Sequence, residues 1–232
     1  MLSIEDVKVS YNKSQIINGV SLSISQGDKV CLMGRNGVGK TTLLKSILGI
    51  LLPNDGKISF EDAPITKMKT YKRSRLGLAY VPQGREIIPM LTVKENLHLG
   101  CMAHYPSEGE KLTEEVLRYF PSLVEHLDRK GGVLSGGQQQ QLAIARALMS
   151  KPKILFLDEP SEGIQPNIVS EIAQILRRIN EEKGISIFIV EQNLEFASKV
   201  ADSFMVMEKG SIIKQGNFAD VSLEDVKRFL TI

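Results

Sequence analysis

The chain has 232 residues, of which 42% are hydrophobic and 24% charged, and its formal net charge is +2. That size and balance suit one large domain or a domain with a lobe, with a buried core, and the Lys and Arg residues form no run long enough for a nucleic-acid face. No stretch reaches the roughly 18 apolar residues a membrane span needs. The two cysteines, Cys31 and Cys101, lie too far apart in sequence to read as a metal pair, which fits a reducing, cytosolic setting.

The opening "MLSIEDVKVSY" has an acidic start and alternates like a strand, so it does not read as a secretory leader. "KVCLMG" follows as a short apolar strand with Cys31 inside it. Next comes "GRNGVGKTT", in which Gly34, Arg35, Asn36, Gly37, Val38, Gly39, Lys40, Thr41 and Thr42 fit the pattern G-x-x-x-x-G-K-[ST]. The flanks fit as well, with a strand before and the helical "TTLLKSILGIL" after. Glycines let the backbone approach a phosphate chain, Lys40 brings a point charge to the β- and γ-phosphates, and Thr41 offers a hydroxyl to Mg²⁺. This pattern predicts a nucleoside triphosphate site.

"LGLAYVPQ" is a further strand. From Pro89 to Ser150 the chain then reads mostly helical. Thr92 followed by Glu95 resembles a capping box, and "SEGEKLTEEVLRYFPSLVEHL" has helical spacing throughout. "LSGGQQQQLAIARAL" begins with a Ser-Gly-Gly turn feeding a helix, a place where backbone N–H groups collect an anion. Leu142, Ile144, Ala145 and Leu148 supply its packing face, and the glutamine run reads as solvated surface.

"KILFLDEP" is an apolar strand ending in two acids. Such a pair is often only a solvated turn. Beside a phosphate loop it divides labour: Asp158 for the Mg²⁺ shell and Glu159 to polarise the attacking water. "NIVSEIAQILRRINEEKG" places Ile168, Ile172, Ile175, Leu176 and Ile179 on one stripe and stops at Gly184. "ISIFIVEQ" and "SFMVMEKG" complete the strands. Those around Leu32, Leu155 and Ile187 are apolar on both faces, as in a covered parallel sheet. Strand and helix in alternation predict an α/β architecture in a single domain, with a core of about residues 1–88 and 151–232 and a helical segment at about 89–150.

Taken in order, "GRNGVGKTT", "YVPQ", "LSGGQ" and "ILFLDEP" resemble the ATP-binding subunit of ABC transporters across essentially the whole chain. The resemblance implies a P-loop NTPase core with a mostly parallel sheet, an antiparallel β subdomain and an inserted helical subdomain. It implies an ATPase using ATP and Mg²⁺, acting on the cytoplasmic face of the inner membrane with transmembrane permeases and, through them, an external solute-binding protein.

It also implies a second ATPase subunit, identical or a sister chain. Ser135, Gly136, Gly137 and Gln138 match the signature turn that holds the γ-phosphate bound to the facing subunit. Tyr11 stands where the family stacks an aromatic on adenine, although an edge-strand tyrosine is the plain alternative. Gln83 matches the glutamine that reaches Mg²⁺ and the water. After it, Ile87, Ile88, Met90 and Leu91 suit either a groove that receives a permease helix or the core of the helical segment.

Two positions depart from the pattern. Gln192 stands where most members have a γ-phosphate-binding histidine, and Gln165 in "SEGIQP" replaces the usual aspartate. Both departures resemble the branched-chain amino acid and amide importers, and among them most closely the urea importer ATPase. A branched-chain amino acid importer, a lipid or export ATPase, and a nucleotide-dependent regulator that does not hydrolyse are the alternatives.

Overall fold

The computed structural model describes residues 1–11 and 14–231. The chain begins with two antiparallel strands, β1 (Leu2–Tyr11) and β2 (Ser14–Ile24). β3 (Lys29–Met33), α1 (Lys40–Ile47), β4 (Asp55–Phe60), β5 (Ala63–Pro64), α2 (Thr70–Arg75) and β6 (Leu78–Val81) follow. A helical stretch then holds α3 (Val93–Met102), α4 (Gly109–Leu117) and α5 (Gly136–Leu148). The remainder is β7 (Ile154–Asp158), α6 (Pro166–Lys183), β8 (Ser186–Glu191), α7 (Leu194–Val200), β9 (Ser203–Glu208), β10 (Ser211–Asn217) and α8 (Leu223–Thr231).

Among the described residues these strands form two sheets. A four-stranded antiparallel sheet runs β2-β1-β4-β5, and a larger one runs β10-β9-β3-β8-β7-β6. In the larger sheet β9, β3, β8, β7 and β6 are parallel and only β10 reverses. Every residue of β3, β7 and β8 is buried, as strands covered on both faces must be. Their alternation divides the interior. Cys31, Leu155, Leu157, Ile187 and Ile189 enter one core with the helices α3 to α7, whereas Val30, Leu32, Phe156, Phe188 and Val190 enter another with α1 and the antiparallel sheet.

The helix predicted after the strand at Leu155 forms as α6. Ile172, Ile175, Leu176 and Ile179 are buried on one stripe, each contributing about 1.5–3 kcal/mol. Gly184 ends it in the left-handed conformation, φ 66°. The Thr92–Glu95 capping box is also present at the start of α3.

Two expectations for the helical segment change. The spacing from Ser107 to Leu127 is of helical type, but α4 ends at Leu117 and a 3₁₀ turn replaces it over Pro121–His126. Pro121 is the cause: its ring excludes the helical conformation at the residue before it, and Phe120 takes φ −126° and ψ 63°. The glutamine run is not solvated either. Gln140 and Gln141 are buried, Gln141 accepts a hydrogen bond from Ser122, and Gln139 donates to the carbonyl of Leu134 at 3.2 Å. α5 packs against α3, α4, α6 and the 3₁₀ turn, so much of its glutamine run is enclosed, and Gln138 and Gln141 find partners on that turn.

A nucleotide cleft at the edge of the parallel sheet

Parallel strands deliver their C-terminal ends to one edge. Here the loops that leave β3, β6, β7 and β8 bring Gly34–Gly39, Gln83, Glu159 and Gln192 to the same place. There a cleft of about 440 Å³ is floored by Asn36, Gly37 and Gly39–Thr42, with Gln83 and Glu159 at one side and Tyr11 and Ile16 of the antiparallel sheet at the other.

The loop after β3 turns into α1 through Gly39, which caps the helix at φ 111°. A side chain there would meet Ile17 Cδ1 at 2.8 Å, so the backbone bends as only glycine allows. Lys40 is 4% exposed. Its ammonium donates to the carbonyls of Gly34 at 2.8 Å and Arg35 at 3.0 Å and lies 3.5 Å from Glu159 Oε1. Arg35 points away, and its Nε donates to the Leu230 carbonyl of α8 at 2.9 Å.

Across the sheet, Thr41 Oγ1 donates to Asp158 Oδ1 at 3.2 Å. Tyr80 donates its phenolic O–H to Asp158 Oδ2 at 3.3 Å. Burial, with the Glu159 charge behind it, raises Asp158 above the usual aspartate range, and burial and Asp158 together hold the Tyr80 phenol in its protonated form. A hydroxyl and a carboxylate side by side form a hard oxygen donor set that fits Mg²⁺.

Glu159 adopts φ 48°, a strained conformation for a residue with a side chain. Its N–H is tied to the Val190 carbonyl at 2.8 Å. The strain places its carboxylate between two amides, Gln83 Nε2 at 3.3 Å and Gln192 Nε2 at 3.1 Å. Gln83 also donates to Glu162 at 2.9 Å, and Gln192 to Asn36 Oδ1 at 2.6 Å. Buried Glu191 fixes the turn that presents Gln192 by accepting the backbone N–H groups of Ser161, Gln192 and Asn193 at 3.0, 2.9 and 3.0 Å.

Ser135, Gly136, Gly137 and Gln138 lie outside this cleft. Ser135 caps α5 and accepts from Gln138 N at 3.3 Å, while the Gln138 side chain returns to Ser135 N at 3.0 Å and meets His126 Nε2 at 2.9 Å. Gly137 is required by packing, since a Cβ there would sit 2.7 Å from Ile168 Cγ2 of α6. The loop after Gln83 divides: Ile87 packs on the core, whereas Ile88 and Met90 are 41% and 72% exposed.

Residues 17–162 match the family model described as ABC transporter. The chain belongs to the ABC transporter family. It is an ATP-binding, ATP-hydrolysing cassette of a transporter, with the family's α/β fold. It is 40% identical over 213 residues to the high-affinity branched-chain amino acid transport ATP-binding protein BraG of Pseudomonas aeruginosa, covering 92% of this chain and 91% of that one. It is 32% identical to the probable branched-chain amino acid transport ATP-binding protein LivF of Archaeoglobus fulgidus, covering 93% and 92%. Among solved structures, a dimeric ATP-binding cassette in a post-hydrolysis state with ADP and Pi superposes with a TM-score of 0.84 at 26% identity, covering 94% and 98%.

Four groups of this cassette's cleft and turn escape motif reading: Tyr80, Glu162, Glu191 and His126. Tyr80, Glu162 and Glu191 stand inside quoted stretches, "YVPQ", "SEGIQP" and "ISIFIVEQ", so their signal is adjacency to a site residue. His126 gives none, because nothing local announces its meeting with Gln138. No helix among the described residues is long and apolar enough to cross a membrane.

Proposed function

We propose that this cassette powers an importer for branched-chain amino acids or related amides from the cytoplasmic face of the inner membrane, with ATP closed between two ATPase subunits. The observation that carries the chemistry is the Glu159 carboxylate, held between the Gln83 and Gln192 amides and 3.5 Å from the Lys40 ammonium. In this reading the N–H groups of Gly34–Gly39 and Thr42 wrap the phosphates, Arg35 contributes through its backbone, and Lys40 draws charge from the β- and γ-phosphates. Thr41, Asp158 and Gln83 hold Mg²⁺, which supplies charge neutralisation on those phosphates when bound.

Glu159 orients and polarises the attacking water. Gln192 donates a hydrogen bond to the γ-phosphate; an amide does this without charge, so no titration near neutral pH is attached to it. Tyr11, 46% exposed at the cleft's rim, stacks on the adenine. Ser135, Gly136, Gly137 and Gln138 close the site of the facing subunit with the N-terminus of α5.

A second hollow supports the permease partner. It holds about 430 Å³ between the ends of α1, α2, α3 and α5, and Leu48, Ile50, Thr70, Leu99 and His104 are among its walls. A short permease helix fits such a groove. It, rather than the segment from Ile87 to Leu91 alone, is the docking surface we assign.

The relatives named above support branched-chain amino acids as the solute. Gln192 and Gln165 support urea. Solute choice resides in the permeases and the external binding protein, so co-purification with the permeases followed by uptake of labelled leucine against labelled urea decides between them. Replacing Glu159 with Gln tests the chemistry: ATP binding persists and turnover collapses, whereas undiminished turnover refutes the assignment and low turnover in the unmodified chain despite permeases favours a regulator.

A further inference from the structure

Between Asp62 and Glu86 the chain has no acidic residue, yet it carries Lys67, Lys69, Lys72, Arg73, Arg75 and Arg85. Arg73 is consumed inside. Its guanidinium donates to the carbonyls of Ser46, Ile47, Thr66 and Met68 at 2.8, 2.6, 2.8 and 2.9 Å and so ties α2 to the end of α1. Burial lowers its pKa to about 10, which leaves it protonated at neutral pH.

The other cations around α2 face outwards. Lys67, Lys69 and Lys72 join Lys57 of β4 around an open hollow of about 770 Å³. Tyr71 stands among them, 53% exposed, with the Arg75 guanidinium 5.7 Å from its ring centre. Among the described residues, none of Lys57, Lys67, Lys69, Lys72 and Arg75 forms an ion pair. Elsewhere Lys8, Lys94, Lys151, Lys153, Lys183 and Lys199 each face a carboxylate. Lys57 has exposed Glu5 opposite it across the β1–β4 pair, but around Lys67, Lys69 and Lys72 the face is one-signed, in a chain whose net charge is only +2.

Thr70, Arg73 and Ser74 on the same short helix line the groove assigned above to the permease. The lysine-bearing face therefore borders the permease contact. We propose that this face rests on the anionic phospholipid headgroups of the bilayer beside the permease. Flexible ammonium groups with no carboxylate between them suit a diffuse layer of phosphates better than a single bidentate partner. Tyr71 adds an amphipathic ring of the kind that settles at headgroup depth, and Leu52, exposed by 55%, adds apolar area after α1.

The inference rests on the proposed orientation of the groove, but the vesicle measurement that decides it contains no permease, so the two fail separately. The purified chain is sedimented with vesicles of phosphatidylcholine alone, or of phosphatidylcholine with one third phosphatidylglycerol, at low and high salt. Binding to the anionic vesicles, lost at high salt, is expected. The triple variant Lys67→Gln, Lys69→Gln, Lys72→Gln weakens it by about 100-fold, roughly fivefold per lysine. ATP affinity and basal turnover stay unchanged, because none of these lysines borders the nucleotide cleft, and an unchanged melting temperature shows that the variant is folded. Equal binding to neutral and anionic vesicles, or undiminished anionic binding by the folded variant, overturns the proposal. Loss of permease co-purification by the variant with no vesicle binding by either chain also overturns it and assigns the face to a protein contact.

Discussion

The phosphate loop and the Ser135 turn are both glycine-rich entries to helices, and they differ in what surrounds them. The loop's groups are partnered within the chain: Lys40 with two carbonyls and Glu159, and Thr41 with Asp158, which Tyr80 of β6 also holds. The Ser135 turn spends its side chains on capping its own helix and meets none of the cleft residues. The first is a reaction chamber built by four strand ends. The second is an exposed helix N-terminus of a 13-residue helix, with its positive dipole end turned outward. On the proposed reading, a chamber walled on one side and an outward-facing helix N-terminus are two halves of a site that one chain does not complete.

The sharpest way to break this comparison is inside the chamber. Glu159→Gln is expected to lower turnover by about 10²–10⁴-fold, the range for losing a positioned general base, while equilibrium dialysis shows ATP affinity retained. Next, Ser135→Arg fills the outward cradle without touching the chamber. It is expected to leave ATP binding by the isolated chain intact and to cut turnover of the assembled transporter by about 10²–10³-fold, as for a lost oxyanion donor. Equal losses of nucleotide binding in both variants would show that the two regions are not separate.

Smaller effects sharpen the account of the chamber. Asp158 is raised above its unfolded value by burial. A raised acid contributes stability below its unfolded pKa and loses it as pH rises through the folded one, so at neutral pH the ionised Asp158 strains the nucleotide-free fold. Asp158→Asn is therefore expected to melt higher than the unmodified chain at pH 7–8, a difference that narrows as the pH falls, and scanning calorimetry reads it. The smallest effect belongs to position 192. Gln192→His is expected to change turnover only severalfold, and to add an inflection near pH 6.5 that the unmodified chain lacks in its pH–rate profile.

Much of this architecture is legible in the sequence because the decisive signals are local. Apolar runs around Leu32, Leu155 and Ile187 declare doubly covered strands, and the capping box at Thr92 and the Gly184 stop mark helix ends. The phosphate loop is a contiguous string whose function follows from its own backbone. What was not legible depends on neighbours distant in sequence. Tyr80 meets Asp158, Gln138 meets His126, and Gln141 is enclosed beside Ser122 only once the helical segment has packed. The break after α4 had a local signal in Pro121, which the helical spacing on either side of it masked.

The most direct test is a structure of the assembled transporter carrying Glu159→Gln and loaded with ATP. The account predicts Ser135 Oγ within hydrogen-bond distance of the γ-phosphate held by the facing ATPase subunit. A fully loaded assembly in which the Ser135 turn contacts only solvent would contradict it.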